Sequence, residues 1–206
     1  MYDFHRKNIE RCKGDKIYLG RMFSLGPEFQ YLLAKHLFKG VKGIRVLVDC
    51  PVSAKSKKMT IYPDIAVLAK EKGKRVLRGI IEVKYNLGWC SPKQKHFQRI
   101  YHRFFKAGEG SYKIRDENNY FDKKVPIKIP RRNIFKFAVV LMKVNDHGRY
   151  GKFKESMKKA GFKTVLLLKD EYIGKIHKGL KKNVKMEIAR NKDIKIVNSQ
   201  LKKAGI

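Results

Sequence analysis

The chain has 206 residues with 50 Lys and Arg against 18 Asp and Glu, a net charge of +32, far more than solubility requires and the electrostatic footprint of a protein that meets polyanions. The length suits one well-buried domain spanning 1–206, and no stretch is apolar for long enough to cross a membrane or serve as a secretory signal. Cys12, Cys50 and Cys90 are odd in number and far apart, and the six histidines form no H-x-H or HxxxH pair, which argues against a disulfide framework, a zinc knuckle and a histidine-metal enzyme and fits thiols in a reducing, cytoplasmic setting.

Nucleic acid is the expected partner, because each neutralised phosphate releases counterions. An anionic membrane surface would call for a basic amphipathic helix with a broad Trp, Phe and Leu face, and none is seen. A structural protein of the ribosomal or chromatin kind would carry the same charge without the acidic pattern described next.

In chain order, Pro27-Glu28 opens an amphipathic helix over roughly residues 26 to 38, with Phe29, Leu32, Leu33, His36 and Leu37 as its buried stripe. Residues Gly43 to Val52 begin a sheet. Ile61 to Ala69 and Val76 to Tyr85 both alternate, and Lys72-Gly73-Lys74 lies between them, which predicts a β-hairpin. Centring the turn on Gly73 sets Asp64 directly opposite Glu82, with Cβ atoms about 5 Å apart. Glu82 and Lys84 then share a face with Asp64, while Ile65, Val67, Ile81 and Val83 point into a core.

Charges on a strand that is otherwise core need a chemical explanation, since an unpaired buried charge costs several kcal/mol or more. Two carboxylates this close repel, and a cation between them relieves the conflict. Mg²⁺ is the natural occupant, because it takes oxygen ligands and is held by one or two carboxylates together with substrate phosphate. The plainer alternative is a hairpin surface on which Lys84 neutralises both acids.

Ser91-Pro92 marks the start of a helix whose apolar face is Phe97, Ile100, Tyr101, Phe104 and Phe105. Residues 108 to 132, rich in Gly, Asn, Asp, Lys and Pro, read as a long basic loop. Tyr112, Tyr120 and Phe121, interleaved there with Lys113, Arg115, Lys123, Lys124, Arg131 and Arg132, would clamp nucleic acid or else lie flat on the surface. Ile134 to Val144, a helix near Phe153 to Ala160, and Thr164 to Leu168 form a βαβ unit, so the sheet is mixed and the fold α/β. His102 and His147 read as surface or structural residues. Residues 170–206 form a basic, helical extension.

Pro63-Asp64, a gap of 17 residues, and then Glu82-Val83-Lys84 after an Ile80-Ile81 run resembles the PD-(D/E)XK nuclease superfamily, with strand, turn, strand and helix in the matching order over roughly residues 25 to 169. The resemblance implies a restriction-endonuclease-like fold: a mixed central sheet with a catalytic hairpin flanked by helices. It implies Mg²⁺, with Mn²⁺ as a substitute, held by Asp64, Glu82 and the Val83 carbonyl. Lys84 would orient the attacking water and offset charge on the phosphate.

From the same resemblance, Glu28 on the first helix would complete the metal site, and Gln94, with Lys93, Lys95 and Gln98 behind it, would orient phosphate or water. Helix-dipole preference accounts equally for Glu28, and a solvated first turn for Gln94. The residue four after Gln94 is Gln98 and not Tyr, so the pattern of some exonuclease branches is not met. The implied function is a Mg²⁺-dependent DNA endonuclease, restriction-type or structure-selective such as a junction resolvase. The alternatives are an exonuclease or RNA-directed nuclease of the superfamily, and a non-catalytic nucleic-acid-binding protein of this fold. Double-strand cutting would call for a C2 homodimer.

Overall fold

The computed structural model describes residues 17–19, 25–55, 59–86, 94–115, 122–142 and 149–166, together with residue 199. Among them the fold is α/β, with one mixed sheet and helices on its faces. The strands are β1 (Ile17–Leu19), β2 (Ile44–Val48), β3 (Val52–Ala54), β4 (Met59–Ile61), β5 (Ile65–Glu71), β6 (Lys74–Asn86), β7 (Glu109–Arg115), β8 (Asp122–Lys128), β9 (Phe135–Met142) and β10 (Lys163–Leu166). The helices are α1 (Leu25–Phe38), α2 (Gln94–Phe105) and α3 (Arg149–Lys159).

The 13-residue β6 organises the sheet. It pairs antiparallel with β5 along one edge. On its other edge it runs parallel with β9 from Gly79 to Asn86 and touches β8 at Val76. The sheet therefore forks at β6. One branch continues through β9 to the parallel β10, the βαβ unit that the sequence predicts. The other continues through β8, β7, β3 and β4, all antiparallel.

Burial follows the strand period on both faces. Ile65, Val67, Ile81 and Val83 pack with Phe29, Leu33 and Leu37 of α1, while Ala66, Leu68, Leu77 and Ile80 pack with Tyr101 and Phe104 of α2 on the opposite face. Leu77 and Ile80 share a face although they differ by three. The reason is a bulge: Leu68 faces Leu77, Val67 faces Gly79, and Arg78 is left over as the extra residue. Arg78 turns back to bind Glu71 by hydrogen bond and ion pair.

The hairpin turn differs from expectation in the same way. Lys72 and Gly73 both have positive φ, 45° and 76°, and Glu71 faces Lys74, so this is a tight two-residue turn of the type that matches strand twist. The odd residue expected in the turn sits in β6 instead. Beyond the bulge Ile65 faces Ile81, and one further step along the chain sets Asp64 across from Glu82.

Three other expectations need correcting. Residues 108–132 are not a long loop: β7 and β8 form an antiparallel hairpin joined to β3. Its apolar period is carried by Tyr112, Val125 and Ile127 and is diluted by the Lys-rich outer face. Pro126, which cannot donate to a ladder, is accommodated because β8 meets β6 only at Lys128. Tyr112 is fully buried and its hydroxyl accepts from Arg45 Nη1 at 2.6 Å, so it does not clamp a ligand. On α1, His36 is exposed, and Gln30, Tyr31 and Ala34 are buried instead.

Helix α2 buries Tyr101, Phe104 and Phe105, and His102 is exposed. Cys50 is buried, with its thiol donating to the Val48 carbonyl at 3.4 Å. The proposed helix start at Ser91-Pro92, the aromatics Tyr120 and Phe121, His147, Cys12, Cys90 and the extension beyond 166, residue 199 apart, lie outside the described residues. No described helix is long and apolar enough to cross a membrane.

Candidate functional site

Three strand residues come together where β5 begins. Lys84 Nζ lies 3.5 Å from Asp64 Oδ2 and 3.7 Å from Glu82 Oε2, so the ammonium sits between the two carboxylates. Glu82 is buried, at 4% exposure, in a sheet whose neighbouring positions are apolar. The Asp64 carboxylate lies in line with the sheet. Its Oδ2 accepts from the Val83 backbone N–H at 2.6 Å, while its own carbonyl accepts from Asp49 N at 2.9 Å. A side chain thus takes over the ladder bond that a further β5 residue would make. Because the N–H and C=O of one strand residue point to the same side, the Val83 carbonyl faces this edge as well.

Each acid is held by a neutral donor from a different helix, on opposite faces of the sheet. Gln30 of α1 donates its Nε2 to Asp64 Oδ1 at 2.8 Å. Gln30 is 8% exposed, and its Oε1 is buried without a hydrogen-bond partner among the described residues. Tyr101 of α2 donates its hydroxyl to Glu82 Oε1. The Tyr101 ring is fixed edge-on to Phe162, at 5.2 Å between centroids, and stacked on Phe105 at 5.9 Å.

Burial and then the Asp64 charge push the Glu82 carboxyl up to about 8, against the partial relief given by Lys84 and the Tyr101 hydroxyl. Burial, and next the adjacent Glu82, raises the Tyr101 hydroxyl well above its ordinary value. With both acids ionised, one ammonium would not balance the negative charge gathered here. Asp64 and Glu82 form a two-carboxylate site, since no group of three or more His, Cys, Asp or Glu side chains gathers among the described residues.

The structure thus brings Asp64, Glu82, Val83 and Lys84 together. Glu28 lies in the first turn of α1 and Gln94 is the first described residue of α2; their side chains are outside the description. Glu28 is two positions from Gln30, about 200° around the helix. Gln94 is seven positions before Tyr101, two turns earlier on the same helical face.

Gln30 and the polar role of Tyr101 are the residues that sequence reasoning missed. A signal existed for each. Gln30 is a lone amide inside the run Phe29 to Ala34, and a Tyr on an otherwise Phe and Ile face brings a hydroxyl that needs a partner.

The donor set suits a hard divalent cation. It consists of carboxylate oxygens, a backbone carbonyl on the same edge and an unpartnered buried amide oxygen, with an excess of negative charge once both acids are ionised. The chain matches no protein-family model, no curated protein and no solved structure.

Proposed function

We propose that this protein is a Mg²⁺-dependent nuclease with a restriction-endonuclease-like fold, of the PD-(D/E)XK kind, and that it hydrolyses DNA phosphodiester bonds internally. The observation that carries the reading is the Asp64, Glu82 and Lys84 cluster at the start of the hairpin, with Lys84 Nζ within 3.7 Å of both acids. A stabilising surface ion pair would not require a buried Glu beside a second carboxylate. The net charge of +32 supports a polyanionic substrate.

In this reading Asp64 and Glu82 hold Mg²⁺ together with the Val83 carbonyl, and the bound ion supplies Lewis acidity toward a phosphate oxygen. Lys84 faces the same point and offsets negative charge developing on the phosphate, while orienting the attacking water. Lys84 Nζ stands 3.5 and 3.7 Å from the two carboxylates, a placement that favours the electrostatic role over that of general base. Gln30 and Tyr101 act through the acids, fixing their rotamers so that the oxygens converge before substrate arrives.

The test is cleavage of supercoiled circular, linear, branched and single-stranded DNA and of RNA, with Mg²⁺ or with EDTA. A circle has no ends, so nicking of circular DNA separates an endonuclease from an exonuclease. Asp64→Ala and Glu82→Gln should abolish the Mg²⁺-dependent product. If the wild type leaves every substrate intact, the catalytic reading fails, and salt-sensitive binding alone would then favour a nucleic-acid-binding protein.

A further inference from the structure

At the end of the β5–β6 hairpin away from the acid pair, two turns of the chain lie side by side. One joins α1 to β2 through Lys39, Gly40, Val41, Lys42 and Gly43, and the other is the hairpin tip, Lys70 to Arg75. The Lys70 backbone N–H donates to the Gly43 carbonyl at 3.1 Å, which holds the two together. Lys39, Lys42, Lys70, Lys72 and Lys74 are exposed and Arg75 is half-buried. This pole therefore carries six cations beside one acid, Glu71.

Two features of the pole point to a ligand. The first is charge that the fold gathers and leaves uncompensated. Lys70 stands directly opposite Arg75 in the β5–β6 ladder, and like charges placed so are destabilising. Glu71 is withdrawn by Arg78, which binds it by hydrogen bond and ion pair. None of the six cations has an ion-pair partner among the described residues. The second feature is open main chain. Gly40, Gly43 and Gly73 have φ of 81°, 77° and 76°, and a Cβ on any of them would meet nothing within 4 Å, so phosphate groups can approach the backbone between the lysines.

From this arrangement we infer that the pole formed by the α1–β2 loop and the β5–β6 tip is a second nucleic-acid contact, gripping the phosphate backbone of duplex DNA away from the bond that is cut. Lys70 lies six residues along the chain from Asp64, about 20 Å in strand geometry. The packed core of the hairpin lies between them, so the pole meets a different stretch of nucleic acid from the one at the acid pair. Neither loop carries an aromatic side chain, and without one there is no platform for the unpaired bases of a single strand. A membrane surface would need a large apolar side chain to insert, and the exposed one of the described chain, Tyr62, lies at the other end of β5. Charge without stacking or insertion suits the regular phosphates of a duplex, held without sequence preference. Only the location of the cut rests on the nuclease reading; the contact itself needs neither the acids nor a metal.

The experiment measures binding of a fluorescein-labelled duplex, and of the matching single strand, to the full chain in EDTA over a series of salt concentrations. Lys70→Gln, Lys72→Gln and Lys74→Gln combined should weaken duplex binding about tenfold or more, and should lower the slope of log K against log salt by about 2.7, the share of three phosphate contacts. Arginine at the same three positions should keep both. The loss should be larger for the duplex than for the single strand, whose phosphates are less densely charged. Lys152→Gln, Lys154→Gln and Lys158→Gln combined remove the same charge from the exposed side of α3, and should change duplex affinity by less than about twofold.

Duplex binding by the hairpin-tip glutamine variant within about twofold of wild type overturns the inference. So does an equal loss from the α3 control, which would make total charge and not its place the cause. A loss confined to the single strand, or tip-dependent attachment to phosphatidylserine vesicles with duplex binding unchanged, gives the pole to another partner and overturns it as well. Because Lys70 and Arg75 oppose one another, the glutamine variant should melt at or above the wild-type temperature. A lower value would show the tip lysines to be held in the folded chain, against the inference. The nuclease reading fails separately, in the Mg²⁺ cleavage assay with Glu82→Gln, a change that leaves the pole intact.

Discussion

Gln30 Nε2 lies 2.8 Å from Asp64 Oδ1, joining the first helix to the start of the β5–β6 hairpin across 34 residues of chain. The amide donates to the carboxylate and brings no charge of its own. Gln30→Leu should keep the fold and lower Mg²⁺-dependent cleavage by about tenfold or more, as a buried charge-assisted hydrogen bond of roughly 1.5–3 kcal/mol is lost. Gln30→Glu adds a third carboxylate to a site already overloaded with negative charge. Its melting temperature in EDTA at pH 8 should fall below wild type and recover when Mg²⁺ is added, as read by thermal denaturation.

Glu82 gives the metal-free protein a distinctive pH dependence. The unfolded chain releases this proton near the ordinary value of 4.5, whereas the folded chain retains it up to about 8. Between those values the native state binds more protons, so the contribution of Glu82 to stability is full below pH 4.5 and is lost as pH rises toward 8. The slope is at most about 1.4 kcal/mol per pH unit. Thermal melts in EDTA from pH 5 to 9 should show a falling melting temperature that Glu82→Gln flattens. Mg²⁺ should raise the melting temperature more at pH 8 than at pH 5, because the proton competes with the cation.

Tyr101→Phe removes the donor to Glu82 Oε1 and leaves the ring packed against Phe105 and Phe162. The hydroxyl favours ionised Glu82, so its loss should raise the Glu82 pKa further. A pH–rate profile at saturating Mg²⁺ should show the acid limb displaced to higher pH, with activity at neutral pH reduced about tenfold. A purely packing role for Tyr101 would leave that limb where it is.

Gly79 faces Phe135 in the β6–β9 register, and the aromatic ring lies over the glycine: a Cβ built there would come within 1.8 Å of Phe135 Cζ. Gly79→Ala should therefore lower stability by about 1–3 kcal/mol in urea denaturation. Gly79→Ala with Phe135→Leu should lose less than the sum of the two single changes, because the second substitution vacates the space the first needs.

Much of the fold was legible in the chain because its period is strong where burial is strong. The alternation from Ile61 to Ala69 and from Val76 to Tyr85 indicated the hairpin, and the apolar run near Ile134 with the helix after it indicated the parallel βαβ unit. The acid pair and Lys84 were legible for a related reason: charge is conspicuous on an apolar strand. The β7–β8 hairpin was not, since Lys113, Lys124 and Lys128 stand among its outer positions, and Gly110 and Pro126 read as loop residues. His36 was misplaced because a helical stripe has width, and the packing face of α1 turned toward Gln30, Tyr31 and Ala34 instead. The partnership of Gln30 with Asp64 depends on how a helix settles against a sheet, which sequence spacing does not encode.

The extra residue Arg78 bears on how such sites are found in other chains. With the same tight turn and no bulge, Asp64 would stand across from apolar Ile81, and the acid one position later would fall out of phase. Turn length is thus a poor ruler for locating the second acid. The usable landmark is the distance in residues from the first carboxylate to the Glu-x-Lys step, allowing one position of slack on the returning strand.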